Sequence, residues 1–188
     1  VRKSFWTCPS LNYCNQFFIL KFVCTWGDKH NICIFVITFK NLNNFKVKKK
    51  DIKSILHLKK QNWKYTLKSQ YKYFQENVKS NDIHCLMHIK EKLVGYTLLR
   101  LRKIFNIKFL IFDTYIIDKK FRLKGYGGEL LRYDNKIIKK KKLPSILLCK
   151  KSMVDFYKSY GWLLSNSKVK KKKINVFQSK KKGSGFNF

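Results

Sequence analysis

The run Arg122-Leu123-Lys124-Gly125-Tyr126-Gly127-Gly128 constrains the fold more than any other stretch of this chain. Ahead of it lies a nearly continuous apolar segment, residues 109–117, that reads as a strand in the middle of a covered sheet. After it come Leu130, Leu131, Ile137 and Ile138 at helical spacing. Strand, glycine-rich turn and helix in that order suit a phosphate. Glycines let the backbone close on the anion, and the unpaired N–H groups of the first helical turn point at it. The dinucleotide fingerprint needs two glycines ahead of an x-x-G step, and the P-loop needs Gly-Lys-Ser/Thr; neither is present. The pattern here is Arg-x-x-Gly-x-Gly.

A chain of 188 residues, 45% hydrophobic and 16% aromatic, suits one globular domain. Its net charge of +33 would ordinarily point to nucleic acid. The residues that supply the charge argue against that. Of 43 basic residues 38 are lysine, whereas base readout favours the bidentate fork of arginine. The chain has no alanine and only two prolines, and its abundant Lys, Asn, Ile, Phe and Tyr share AT-rich codons. Base composition therefore accounts for much of the charge, and nucleic acid is not an expected partner. The six cysteines, at positions 8, 14, 24, 33, 85 and 149, show no C-x₂₋₄-C spacing, so no metal is expected. Cys85 and Cys149 sit in apolar runs and read as core residues. A reduced, cytoplasmic protein is the expectation. No apolar run reaches the roughly 18 residues that a bilayer span requires.

Residues 1–41 differ from the rest: they hold four of the cysteines and lack clear helical periodicity, and they read as an extension of open status. Within them residues 31–39 form a strand candidate. Regular patterning covers residues 42–178. It begins with a short strand candidate at Phe45-Lys46-Val47, a helix with Asp51 as N-cap, and a second helix over residues 70–79. Residues 83–89 alternate as a strand, a Lys-Glu-Lys turn follows, and residues 93–101 and 145–149 add further strands. Ser152 to Asp155 reads as a capping box for a short helix that Gly161 ends. Residues 162–177 fit a closing hairpin, and 179–188 a tail.

The later segment Phe156-Tyr157-Lys158-Ser159-Tyr160-Gly161-Trp162 follows the glycine turn by one helix and one strand. In this order the two motifs resemble the GNAT superfamily of acyl-CoA-dependent N-acyltransferases, across about residues 42–177. The resemblance implies an α/β (α+β) single domain: a mixed, mostly antiparallel sheet, splayed between two central parallel strands and flanked by helices. It implies acetyl-CoA or another acyl-CoA as co-substrate, with the pyrophosphate held by Arg122, Lys124 and the backbone of Gly125, Tyr126, Gly127 and Gly128. Tyr115, Ile116 and Ile117 would contact the pantetheine arm and polarise the thioester carbonyl. Tyr157 matches the family's general acid, or else only packs its ring; Tyr160 is the lesser candidate. For the base, Asp113 in its apolar strand would have a raised pKa, or would satisfy neighbouring N–H groups. Asp118, His84 and His88 are further candidates, and relatives also use water. The acceptor the resemblance implies is a primary amine of a small molecule, with an amino sugar as first choice. A protein or RNA amine, or a non-catalytic CoA-binding module, is the alternative. No membrane span is expected, and a homodimer is left open.

Overall fold

Among the described residues, eight strands form one sheet: β1 (Asn15–Trp26), β2 (Lys29–Asn43), β3 (Ile83–Ile89), β4 (Lys92–Ile104), β5 (Ile107–Ile117), β6 (Ser145–Cys149), β7 (Trp162–Leu164) and β8 (Asn175–Ser179). Their order across the sheet is β1-β2-β3-β4-β5-β6-β8-β7. Every neighbouring pair is antiparallel except β5 and β6. The helices are α1 (Lys49–Lys60), α2 (Leu67–Asn77), α3 (Tyr126–Lys141) and α4 (Val154–Ser159). This computed structural model describes residues 15–26, 29–104, 106–164 and 175–179. Cys8, Cys14 and the expected tail beyond Ser179 lie outside the described residues. The mixed, mostly antiparallel sheet with one parallel pair and flanking helices is as expected.

In the middle of the sheet both faces are covered. Ile83, Cys85, Met87 and Ile89 of β3 pack with Leu130, Leu131 and Ile138 of α3, on the face that also holds Tyr157 and Trp162. The alternate residue Leu86 packs with Ile55 and Leu58 of α1, together with Tyr96, Leu98 and Ile116. An alternating strand buried on both sides follows from helices above and below. Cys85 on β3 and Cys149 on β6 are free thiols, the first buried and the second half-buried.

Three local expectations differ from the structure. Residues 45–47 are not a strand: Asn44–Lys46 is a 3₁₀ turn, in which Asn44 N–H donates to Asp82 O at 3.0 Å as the chain leaves the sheet. Asp51 is not an N-cap; α1 begins two residues earlier, and Asp51 lies in its first turn, where its charge faces the helix N-terminus. Ser152 makes no capping bond, because a 3₁₀ turn, Lys151–Met153, leads into α4. The second helix is capped instead by Thr66, whose Oγ1 accepts from Ser69 N–H at 3.1 Å.

The break expected at residues 41/42 falls inside β2. Ile37 and Phe39 are completely buried. Phe39 stacks on Tyr133 of α3 with ring centroids 4.6 Å apart, and Asn41 Nδ2 donates to the Tyr133 hydroxyl at 2.9 Å. Losing a buried Phe or Ile costs roughly 2–5 kcal/mol each, against about 5–15 kcal/mol of total stability for a domain. A chain starting at Leu42 is therefore expected to lose cooperative thermal unfolding, and one starting at Lys29 to keep it. Calorimetry on both decides it; a sharp transition in the shorter chain would show that β2 is dispensable.

Candidate active site

The glycine-rich run forms the loop between β5 and α3. It opens with Asp118, whose Oδ1 accepts from Lys120 N–H at 2.9 Å and so starts a 3₁₀ turn, Lys119–Phe121. Leu123 then has φ +58° and Gly125 φ +82°, both left-handed, with Lys124 between them not so. Alternation of this kind turns successive N–H groups towards one side and makes an anion-binding concavity. It leads directly into α3, whose positive end reinforces it. A Cβ on Gly125 would meet nothing within 4 Å, so φ rather than space demands glycine there. At Gly128 a Cβ would come within 1.9 Å of the Tyr160 hydroxyl, so close approach demands it.

The side chain of Arg122 holds the loop. Its Nε donates to Ile117 O at 3.0 Å and its Nη2 to Asn62 Oδ1 at 2.5 Å. Gln61 adds two bonds, accepting from Lys119 N–H at 3.0 Å and donating to Asp118 Oδ2 at 3.3 Å. Asp118 is also paired with Lys92 at 3.2 Å. Although desolvation opposes it, the bonds from Lys120, Gln61 and Lys92 lower its pKa. It is a loop anchor. Lys119, Lys120 and Lys124 stay exposed around the concavity.

Beside this loop the two parallel strands part. β5 and β6 pair only from Leu110/Ser145 to Phe112/Leu147. Residues 113–117 continue along β4 without a β6 partner, which leaves their outer main-chain edge open. Opposite them, the β4–β5 register shifts: Thr97 faces Tyr115 and Leu99 faces Phe112, so Asp113 and Thr114 together oppose Leu98. This bulge puts one extra residue in β5. Phe112 and Tyr115 point to the α3–α4 face, and Asp113 and Thr114 both line a cavity on the α1–α2 face.

Tyr157 of α4 stands where the strands separate. Its ring lies 6.2 Å from that of Phe112, the last paired residue, and 6.2 Å from Tyr115 beyond it. Burial above all, then Cys149 and Asp134, raises its pKa, so the phenol keeps its proton at neutral pH. The Tyr115 hydroxyl donates to Gly127 O at 2.5 Å and ties β5 to the first turn of α3. Ile116 and Ile117 are buried, one on each face. Tyr126 is buried against Phe121, with ring centroids 5.7 Å apart. Tyr160 packs instead on Phe156 and under the Arg132 guanidinium, at 5.2 Å each.

Asp113 is not sealed among apolar neighbours, as its strand suggested. The bulge turns it outward, where its side chain is 36% exposed and its Oδ2 lies 3.2 Å from Arg100 Nη1. His84 is a satisfied core residue: its ring nitrogens meet the Tyr96 hydroxyl at 2.9 Å and Asn44 Oδ1 at 3.2 Å, and burial lowers its pKa to about 4. His88 is half-buried on the same strand, its pKa lowered by burial and by Lys40. Neither histidine lines the cavity that Asp113 lines.

That cavity, about 460 Å³, lies between α1, α2 and the bulge and is lined by Lys59, Trp63, Tyr65, Gln70, Tyr73 and Asp113, among others. Among the described residues no group of three or more His, Cys, Asp or Glu is placed to hold a metal ion, and no helix is long and apolar enough to cross a membrane.

No family model matches the sequence, and no curated protein matches it by sequence. Solved structures do resemble it. ElaA of Escherichia coli superposes with a TM-score of 0.63 at 13% identity, over 77% of this chain and 99% of that one. An acyl-CoA N-acyltransferase from Pseudomonas aeruginosa gives 0.61 at 12% identity, over 77% and 99%. The PaiA N-acetyltransferase of Thermoplasma acidophilum, in complex with coenzyme A, gives 0.53 at 16% identity, over 76% and 99%. This chain has the GNAT fold.

One acidic residue of this GNAT fold escaped the motif-based reading. Asp134 of α3 is completely buried; its Oδ2 accepts from Thr97 Oγ1 at 2.8 Å, and the Cys85 thiol lies beside it. Its spacing from Leu130, Leu131 and Ile138 places it on the apolar stripe of the helix, which is the signal that could have found it. Burial raises its pKa to about 7. Between about pH 4 and 7 the unfolded chain has released a proton that the folded chain still holds, so Asp134 lowers stability as pH rises through that window. His84 acts oppositely, because between about pH 6.5 and 4 only the unfolded chain takes up its proton. The Asp134→Asn variant isolates the first effect. Its stability relative to wild type should climb by about 1.4 kcal/mol per pH unit from pH 4 to 7 and then level off. Denaturant melts across pH measure this; a constant difference would mean that Asp134 is ionised throughout.

Proposed function

We propose that this chain transfers an acyl group from acyl-CoA to the nitrogen of a small primary amine. The observation that carries the reading is the parting of β5 from β6 beside the left-handed loop, with Tyr157 where the strands separate. The concavity at residues 122–128 suits the pyrophosphate. The open edge of residues 113–117 offers main-chain groups to the amides of a pantetheine arm and to the thioester carbonyl. The likeness to a CoA-bound N-acetyltransferase supports the same assignment.

In the reaction the amine nitrogen attacks the thioester carbon from the α1–α2 side, where Asp113 and Thr114 face it. A C–N bond forms, the C–S bond breaks, and the electron pair leaves on sulfur. Tyr157, on the opposite face of β5, gives its proton to the thiolate. The proton lost by the nitrogen restores that of Tyr157, so the products are amide and free CoA. Asp113, already held by Arg100, orients the incoming amine. Arg122 acts mainly by shaping the loop, with Lys124 as an exposed charge beside it.

Free thiol released from acetyl-CoA, measured across amino acids, amino sugars, spermidine and peptides, tests the activity; no turnover with any amine rejects it. Tyr157→Phe keeps the ring and should lower kcat about 10²-fold, with little change in KM for acetyl-CoA. Tyr160→Phe should be near neutral, since the Tyr160 ring packs on Phe156 and Arg132 whereas that of Tyr157 meets Phe112 and Tyr115. Full turnover by Tyr157→Phe would remove it as the acid.

The loop has its own test. Gly125→Ala adds a methyl group in open space but in a left-handed conformation that costs about 1–2 kcal/mol. A lower melting temperature together with severalfold weaker CoA binding by calorimetry is expected. Unchanged CoA affinity would take the loop out of the site.

A further inference from the structure

The charges lining the α1–α2 cavity are unequally matched. Asp113 is met by Arg100 at 3.2 Å, and the Arg100 guanidinium is engaged further by Asn77 O at 2.6 Å. Lys59 has no such match. Among the described residues it forms no ion pair and no hydrogen bond; its ammonium stands 5.8 Å from the Trp63 ring centre and 5.7 Å from that of Tyr73. Desolvation lowers its pKa, an effect that Asp113 counters and Arg100 adds to. A half-buried cation of this kind gains from an anion brought to it in the same low-dielectric wall.

A second group is unmatched in the same cavity. Gln70 is 5% exposed, and its Nε2 donates to Tyr65 O at 3.1 Å. Its Oε1 is buried and has no hydrogen-bond partner among the described residues. That atom has no surface open to the cavity, so it belongs to the wall rather than to the contacts a ligand would make. Lys59 lies over one face of Trp63 and of Tyr73, yet Trp63, Tyr65 and Tyr73 stay 39%, 65% and 47% exposed, which leaves ring surface to a bound molecule. The volume falls in the range of small-ligand sites, about 300–1,000 Å³.

We propose that the acyl acceptor is an α-amino acid with a free carboxylate and an aromatic side chain. The carboxylate pairs with Lys59, the ring packs on Trp63 and Tyr73, and the amino group faces Asp113 at the bulge. The assignment rests on the acyltransferase reading for its reaction, and on a cation without an anionic partner beside exposed rings for its substrate class. A polyamine would bring further positive charge to Lys59, and a neutral amino sugar would leave Lys59 without an anion.

The experiment compares L-phenylalanine with phenethylamine, which has the same ring and amine without the carboxylate. Turnover with acetyl-CoA should favour phenylalanine in kcat/KM by about tenfold or more, the scale of one charge-assisted hydrogen bond. Lys59→Met should bring that ratio close to one, and Lys59→Arg should preserve it. Calorimetry with the corresponding products, N-acetyl-L-phenylalanine and N-phenethylacetamide, reads the same preference without catalysis. If acyl transfer occurs but spermidine, glucosamine or phenethylamine is the better acceptor, the substrate class is overturned while the reaction stands. If no amine is turned over yet the carboxylate-bearing amide binds tighter in a Lys59-dependent way, the reaction fails and the class of ligand stands. Equal affinity for the two amides overturns the proposal.

Discussion

Three paired residues on each side are all that join β5 to β6, and the site depends on the shortness of that contact. A longer parallel ladder would close the main-chain edge of residues 113–117 and leave a ligand nothing to pair with. The bulge opposite Leu98 works with it. One extra residue in β5 sends Asp113 and Thr114 to the same face, so the strand presents a polar pair towards α1 and α2 and aromatic rings towards α3 and α4. A ligand lying against this strand would therefore meet different chemistry on its two sides. The asymmetry is built by backbone register before any side chain is chosen.

The Arg100 guanidinium that meets Asp113 is anchored with little freedom. Asp82, completely buried, accepts from Lys79 N–H and Leu101 N–H at 3.0 Å each, and from Arg102 at 2.6 and 3.1 Å. Arg100 and Arg102 also both hold Asn77 O, at 2.6 and 3.2 Å, which pins the end of α2 to β4. A buried carboxylate is tolerated there because its oxygens are met by charge and by N–H groups together. The consequence lies at the cavity: Asp113 receives a guanidinium whose position is already set.

Much of this architecture could be read from residue order alone. Residues 83–89 and 145–149 alternate or run apolar between clear turn signals, and the strands formed there without offset. The glycine-rich loop ahead of α3 was legible because glycine positions and the following helix repeat were both local. The burial expected of Asp113 did not form, because an apolar run cannot say that one position opens onto a cavity between α1 and α2, and the bulge that sets Thr114 on the same face arises from pairing with β4. Lys59, Trp63, Gln70 and Tyr73 carried no signal as a site, since spacing within α1 and α2 cannot say which strand those helices will cover. Residues 45–47 show the same limit: their β-like composition yielded to the need for Asn44 to meet Asp82.

Residues 59–63 belong to two walls at once. Lys59 and Trp63 face the cavity beside Asp113, whereas Gln61 and Asn62, between them, hold Lys119, Asp118 and Arg122 of the loop that leads to α3. A single helix end thus acts as a shared lever. Any tilt of it that makes room on the cavity side must drag the loop by its three hydrogen bonds, and any resettling of the loop must move the aromatic wall. The two halves of the cleft are mechanically geared, and neither can be reshaped alone.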